Sequence, residues 1–152
     1  MKFKREITNG IIIFLGIGIY FMILELLGIS DQAYLRMLNI VFVIFGVNRT
    51  IKANAESGVH GYFTNFISGL LTAMIGAVLS IAALLFYINF KGGEEYLKSL
   101  SENFIFGGGE LSIEQYCLGL LFESTAGAFA VVFVLMQYWK GKVENINTVD
   151  RR

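Results

Sequence analysis

The sequence predicts an all-α, integral membrane four-helix bundle built as one domain over residues 1–152. Three observations lead there. Residues 62–90 contain no charged side chain, and at about 1.5 Å per residue a helix of roughly 20 apolar residues already crosses a hydrocarbon core of about 30 Å. The chain as a whole is 55% hydrophobic and only 16% charged, with a mean hydropathy of +0.63, which is too apolar for an ordinary soluble domain of this length. Proline is absent, so no span is kinked or broken by that residue, although glycine can still unwind a helix.

The first span is expected over residues 7–27. A basic start (Lys2, Lys4, Arg5) ahead of an apolar run resembles a secretory signal, with Gly28-Ile29-Ser30 as its cleavage site. The run is longer than an ordinary signal core, so we read a retained span. Ser30 and Asp31 are good helix N-caps and place the second span at 31–50. That span is the weakest. Its apolar stretch, 34–47, is interrupted by Arg36 and Asn39 and covers only about 21 Å. Arg36 must therefore snorkel outward while the polar residues 48–52 extend the other end, and a re-entrant or interfacial helix is the alternative.

The third span is 62–90. A polar stretch, 91–113, follows, in which Gly92-Gly93 and Gly107-Gly108-Gly109 bracket a piece whose Tyr96, Leu97, Leu100 and Phe104 recur at helical spacing. This predicts a short surface helix in the third loop. Ser112-Ile113-Glu114-Gln115 reads as a capping box that opens the fourth span at 114–139. Tyr116 at one end and Tyr138-Trp139 at the other fit the two interfacial aromatic belts.

Orientation follows from the basic residues. All of the twelve lysines and arginines except Arg36, Lys91 and Lys98 fall in the N-terminus (Lys2, Lys4, Arg5), the second loop (Arg49, Lys52) or the C-terminus (Lys140, Lys142, Arg151, Arg152). Four spans put those three segments on one side, which the positive-inside rule makes cytoplasmic. The opposite side carries Asp31, Glu94, Glu95, Glu102, Glu110 and Glu114, an acidic outer face. The expected location is a bacterial inner (cytoplasmic) membrane, crossed several times.

Without a hydrophobic drive between helices in lipid, close contact over small residues holds such a bundle together. On the third span Gly69, Ala73, Gly76, Ser80 and Ala83 form one stripe, and on the fourth the same spacing collects Gly119, Glu123, Ala126 and Ala130. The expected packing seam is thus Gly69, Ala73, Gly76 and Ser80 against Gly119 and Ala126, with Glu123 on the packing face. Gly18 with Glu25 on the first span, and Arg36, Asn39, Val43 and Gly46 on the second, give each helix its own small or polar stripe.

Three charged residues interrupt the apolar runs within the spans: Glu25, Arg36 and Glu123. An unpaired charge there costs about 2 to 3 kcal/mol at the bilayer centre on insertion scales, so pairing or protonation is expected. We expect Arg36 to lie between Glu25 and Glu123, with Asn39, Ser124 and Thr125 as hydrogen-bond partners. Such a polar cluster either exchanges a proton or cation with the outer face or is a structural ion pair that fixes helix register.

Other chemistry is poorly represented. Zero formal net charge and the lack of a long basic block exclude nucleic acid as a main partner. One cysteine, Cys117, and one histidine, His60, exclude an intramolecular disulfide and a zinc site of several Cys or His ligands. His60 sits in the second loop, away from the outer acids, so no nucleophilic triad is available; no metal, cofactor or catalytic residue is expected. Gly16-Ile17-Gly18 lacks the third glycine of a dinucleotide fingerprint, and Gly107-Gly108-Gly109-Glu110 lacks the following Lys and Ser/Thr of a phosphate loop.

Gly61-Tyr62-Phe63-Thr64-Asn65-Phe66-Ile67-Ser68-Gly69-Leu70-Leu71-Thr72-Ala73, preceded by Gly46-Val47-Asn48-Arg49, resembles the middle of small bacterial four-helix inner-membrane proteins grouped under domains of unknown function. The resemblance spans about residues 10–140 and implies a fold without an activity. Two functions from different classes follow. The first is a non-enzymatic accessory or scaffolding subunit that packs, within the lipid bilayer, against other integral membrane proteins or against itself as a homo-oligomer. The second is a small carboxylate-based proton or ion transporter, or a coupling subunit, centred on Glu123.

Overall fold

A computed structural model describes residues 3–101 and 111–143, leaving Lys2, Arg151, Arg152, Glu102, Phe104, Gly107 to Gly109 and Glu110 of the expectations above outside the described residues. The elements are α1 (Phe3–Leu26), α2 (Ala33–Met37), α3 (Asn39–Glu56), α4 (Tyr62–Lys91), α5 (Glu94–Ser101) and α6 (Ile113–Val143). Four helices are long and apolar enough to cross a bilayer, α2 and α3 together supplying the second of them as Tyr34–Glu56. The chain is therefore a multi-pass helical membrane protein.

The second span gains its length at one end. Its 23 residues reach about 34 Å, because the helix continues through the polar residues to Glu56 rather than ending at 50. It tightens at Leu38, where Leu38 N–H bonds Leu35 O at 3.1 Å and Val41 N–H bonds Leu38 O at 3.0 Å, the pattern of a single 3₁₀ turn. The helix start also departs from the expected caps. Gln32 is the N-cap and makes no side-chain cap bond, because the Ser30 hydroxyl is drawn to the Glu25 carboxyl, Oγ to Oε2 2.7 Å. At α6 the capping box forms: Ser112 N–H meets Gln115 Oε1 at 3.1 Å and Gln115 N–H meets Ser112 Oγ at 3.3 Å. Gly58 closes α3 at φ 72°, a backbone state that costs glycine nothing, and lets Val59 N–H reach back to Asn54 O at 2.9 Å.

α4 is the central post: α1, α3 and α6 all pack on it, α3 also touches α1 and α6, and α1 and α6 make no extensive contact with each other. Glycine permits the closest approach. Ile13 of α1 is fully buried, with a Cβ built on Gly76 falling 2.6 Å from its Cγ2 and one built on Gly46 falling 2.7 Å from its Cδ1. One isoleucine thus fills the space between two hydrogen-only side chains on two helices.

The half of the bundle nearest the N-terminus is held by a buried polar lattice that the apolar-run reading of α1 left out. α1 starts at Phe3, a turn earlier than expected, so Glu6 joins Asn9 in the helix, and both are buried. Ser68 Oγ donates to Glu6 Oε1 and accepts from Asn54 Nδ2 at 2.9 Å. One turn deeper, Asn9 Nδ2 donates to Thr50 Oγ1 at 2.9 Å, and Thr50 and Thr72 share a hydroxyl bond of 3.0 Å. Arg5 caps the arrangement, donating to Ala53 O at 2.7 Å, Asn54 Oδ1 at 3.2 Å and Ser57 Oγ. These bonds sew α1, α3 and α4 together.

α6 joins through Trp139, whose Nε1 donates to Asn48 Oδ1 at 2.7 Å, and through Val143 O, which accepts from Gly61 N–H at 2.8 Å. Trp139→Phe keeps most of the apolar contact and removes the bond, so it is expected to cost about 1 kcal/mol. The check is a melting curve in mild detergent, in which Asn48→Ala should match it and the double variant should add little further.

Candidate functional site: a cavity between the first and last spans

The apolar core divides in two. One cluster joins α3, α4 and α6 through Val47, Ile51, Ala73, Ala128, Val132 and Met136. The other gathers Ile88, Leu97, Leu100 and Tyr116 from α4, α5 and α6. Between them, where α1 and α6 fail to meet, lies a cavity of about 620 Å³. Its walls are mostly apolar, with Phe14, Phe21, Ala77, Leu84 and Val131 among them, and Arg36, Asn39, Ser80, Tyr116, Glu123 and Ser124 supply the polar groups. Such a lining, apolar with a few placed polar handles, is the composition of a binding cavity for an amphiphilic group.

The expected cluster of Glu25, Arg36, Asn39 and Glu123 is divided by the fold. Arg36, Asn39 and Glu123 line the cavity and Glu25 does not. Among the described residues neither carboxylate forms an ion pair with Arg36. Arg36 Nη1 instead donates to the Tyr116 hydroxyl, crossing from α2 to α6 at the α2 end of the cavity. The Tyr20 hydroxyl supports the same end by donating to Leu35 O at 3.0 Å. Asn39 Oδ1 is buried without a hydrogen-bond partner. Glu123 is exposed at the cavity mouth, about 10 Å along the helix from Tyr116. Ser80 and Thr125 turn back on their own helices, to Gly76 O at 2.8 Å and Leu121 O at 2.7 Å.

Glu25 is a latch at the C-terminal end of α1. It accepts from Ser30 Oγ at 2.7 Å and Tyr96 Oη at 2.8 Å and pairs with Lys91 Nζ at 3.5 Å. Three segments, the α1 terminus, the end of α4 and α5, thereby meet on one carboxyl group. Edge-to-face rings, Phe21 on Tyr87 at 5.5 Å and Tyr87 on Tyr96 at 5.8 Å, pack behind it. Burial, followed by the bond to Glu25, pushes the Tyr96 phenol above its usual range, so it stays a donor through neutral and mildly alkaline pH. α5 is anchored by Leu97 and Leu100, both buried.

Gly69, Ala73 and Gly76 are buried along α4, Gly69 against Val47 and Val132, and Ser80 is half-buried. On α6 the stripe expected to pack is not the buried face. Ala126 and Ala130 are exposed and Gly119 is only partly covered, whereas Ala128, Val131, Val132, Met136 and Trp139 are buried. The helix presents Val132 to Gly69 of α4, so a small residue is needed on one side of that contact only. Glu123 lies between the two faces, which places it at the rim. The lattice residues carried a legible signal: three pairs of polar residues at i, i+3 or i+4 on three helices, Glu6 with Asn9, Thr50 with Asn54 and Ser68 with Thr72.

Among the described residues no group of three His, Cys, Asp or Glu side chains converges. No protein-family model, curated protein or solved structure matches the chain.

Proposed function

We propose that this chain is a non-enzymatic accessory or scaffolding subunit of a larger assembly in a bacterial inner membrane, with both termini cytoplasmic, and that a helix of a partner protein covers the mouth of the cavity. The observation that carries the reading is Glu123, a carboxylate exposed on the isolated chain in the middle of a membrane span. Intramembrane acids face a bundle interior or a water-filled cavity, because lipid tails cannot satisfy them. A polar group from a partner helix completes this one. Asn39 Oδ1, buried beside the same cavity without a donor, has the same need.

A competing reading, a small carboxylate-based proton or ion transporter or coupling subunit, draws support from Arg36 and Glu123 lining one cavity. The opposite half weighs against it: there Ile13, wedged between Gly46 and Gly76, and the Thr50–Thr72 and Ser68–Glu6 bonds occupy the space between α1, α3 and α4.

Photo-crosslinking separates the two. A photoreactive residue at Met37 or Ile40, exposed on the cavity lip, is expected to capture one membrane protein at high yield. The same residue at Val134, exposed elsewhere on α6, is expected to capture none, and Glu123→Ala should lower the yield at least roughly tenfold, the loss of one buried charged hydrogen bond. Crosslinks to lipid alone would count against a protein partner. Proton flux into liposomes that Glu123→Gln abolishes would replace the accessory reading with the transporter.

A further inference from the structure

On the face away from the large cavity, α1 and α3 enclose a second hollow of about 350 Å³ lined by Lys4, Arg5, Thr8, Asn9, Arg49 and Ala53. Three of the six are cations and no carboxylate is among them. Two acids of the same helices are engaged elsewhere: Glu6 turns into the bundle to Ser68, and Glu56 is paired with Lys52 at 3.9 Å. Arg5 is fixed by its bonds to Ala53 O, Asn54 Oδ1 and Ser57 Oγ, which leave guanidinium N–H groups to spare. Asn9, held on Thr50 Oγ1 at 2.9 Å, is a buried amide at the hollow's edge. The side chains of Lys4 and Arg49 have no hydrogen bond or ion pair among the described residues. Two uncommitted cations and a preorganised third around one concavity form an anion site, and a planar guanidinium suits a phosphate.

The depth of the hollow selects the anion. Arg49 follows Asn48, the residue bonded to Trp139, so the cations lie at the level of an aromatic belt, where lipid headgroups are. One turn further along the two helices Ile11 and Phe45 are exposed, 40% and 55%, so apolar surface follows the cations along both spans. We propose that this hollow binds the phosphodiester headgroup of an anionic phospholipid, Lys4 and Arg49 contacting the phosphate beside the fixed Arg5, with the acyl chains over the exposed apolar surface of α1 and α3. Clusters of lysine and arginine at the ends of spans recognise anionic lipids in this way.

The test uses the full chain in neutral detergent, titrated with phosphatidylglycerol, phosphatidylcholine or inorganic phosphate, and reads bound lipid by native mass spectrometry and stability by thermal melting. Phosphatidylglycerol is expected to bind and raise Tm while phosphatidylcholine and phosphate do not. The double substitution Lys4→Gln with Arg49→Gln should weaken phosphatidylglycerol roughly tenfold or more, whereas Lys140→Gln, an exposed cation at the same end of the bundle, should leave it unchanged. If the double variant does not fold, Arg49→Gln alone gives the same comparison with a smaller loss. Unchanged binding in the Arg49 variant, an equal loss in Lys140→Gln, or an equal Tm rise with inorganic phosphate would each overturn the proposal.

Discussion

Ser68→Ala is expected to destabilise the bundle by about 2–4 kcal/mol, the penalty for stranding two buried polar groups. Its hydroxyl is the hub of the lattice, donating to Glu6 Oε1 and accepting from Asn54 Nδ2 at 2.9 Å. An interhelical hydrogen bond in a membrane protein averages only about 0.6 kcal/mol, since separated helices find other partners, so the two lost bonds alone would be modest. The larger effect comes from what remains. Glu6 is fully buried, and its Oε2 already lacks a partner, so removing the Ser68 hydroxyl leaves the whole carboxyl group without one. Ser68→Thr keeps the hydroxyl and should recover most of the loss. A melting temperature for Ser68→Ala within error of the wild type would show that the lattice contributes little.

The second large effect is expected at Gly76. Its Cβ would fall 2.6 Å from Ile13 Cγ2, 2.8 Å from Ile13 Cβ and 3.2 Å from the Gly10 carbonyl oxygen. Ile13 cannot retreat, because Gly46 of α3 holds its other side. Gly76→Ala therefore has to push α1 off α4, at a cost of about 1–3 kcal/mol by the usual scale of overpacking. Ile13→Ala alone is also destabilising, through a cavity. In the double variant each change relieves the other, and the pair should be more stable than the sum of the two single effects. Strict additivity in thermal melts would show that the helices do not depend on this contact.

Much of the architecture was readable in the residues themselves. A run without charge at 62–90, the capping box at Ser112 and the glycines that end the helices are local facts, governed by backbone hydrogen bonding and the length of a bilayer crossing. The small face of α4, Gly69, Ala73 and Gly76, was equally local, since residues three and four apart share one side of a helix. The same rule applied to α6 pointed to Gly119, Ala126 and Ala130. That stripe is real as a pattern but is largely exposed, because α6 turns Val132 and its neighbours toward Gly69 of α4.

The polar groups divide in the same way. Glu25, Arg36 and Glu123 stood out because each interrupts an apolar run, and three of the four expected cluster residues do line one cavity. Their partners did not follow from that. Lys91, Tyr96 and Ser30 take Glu25, and Tyr116 takes Arg36. Glu6 was passed over because a basic N-terminal segment looks solvent-exposed until a second helix is laid beside it. The sequence by itself determined how many helices are long and apolar enough to cross and which residues share a face, since each depends on neighbours within a few positions. The tertiary structure alone decided which faces meet, that Glu6 is completed by a serine 62 residues away, and that α1 and α6 stand apart with a cavity between them. Those outcomes depend on how side chains of different helices fit together, and helical periodicity carries no record of the neighbour.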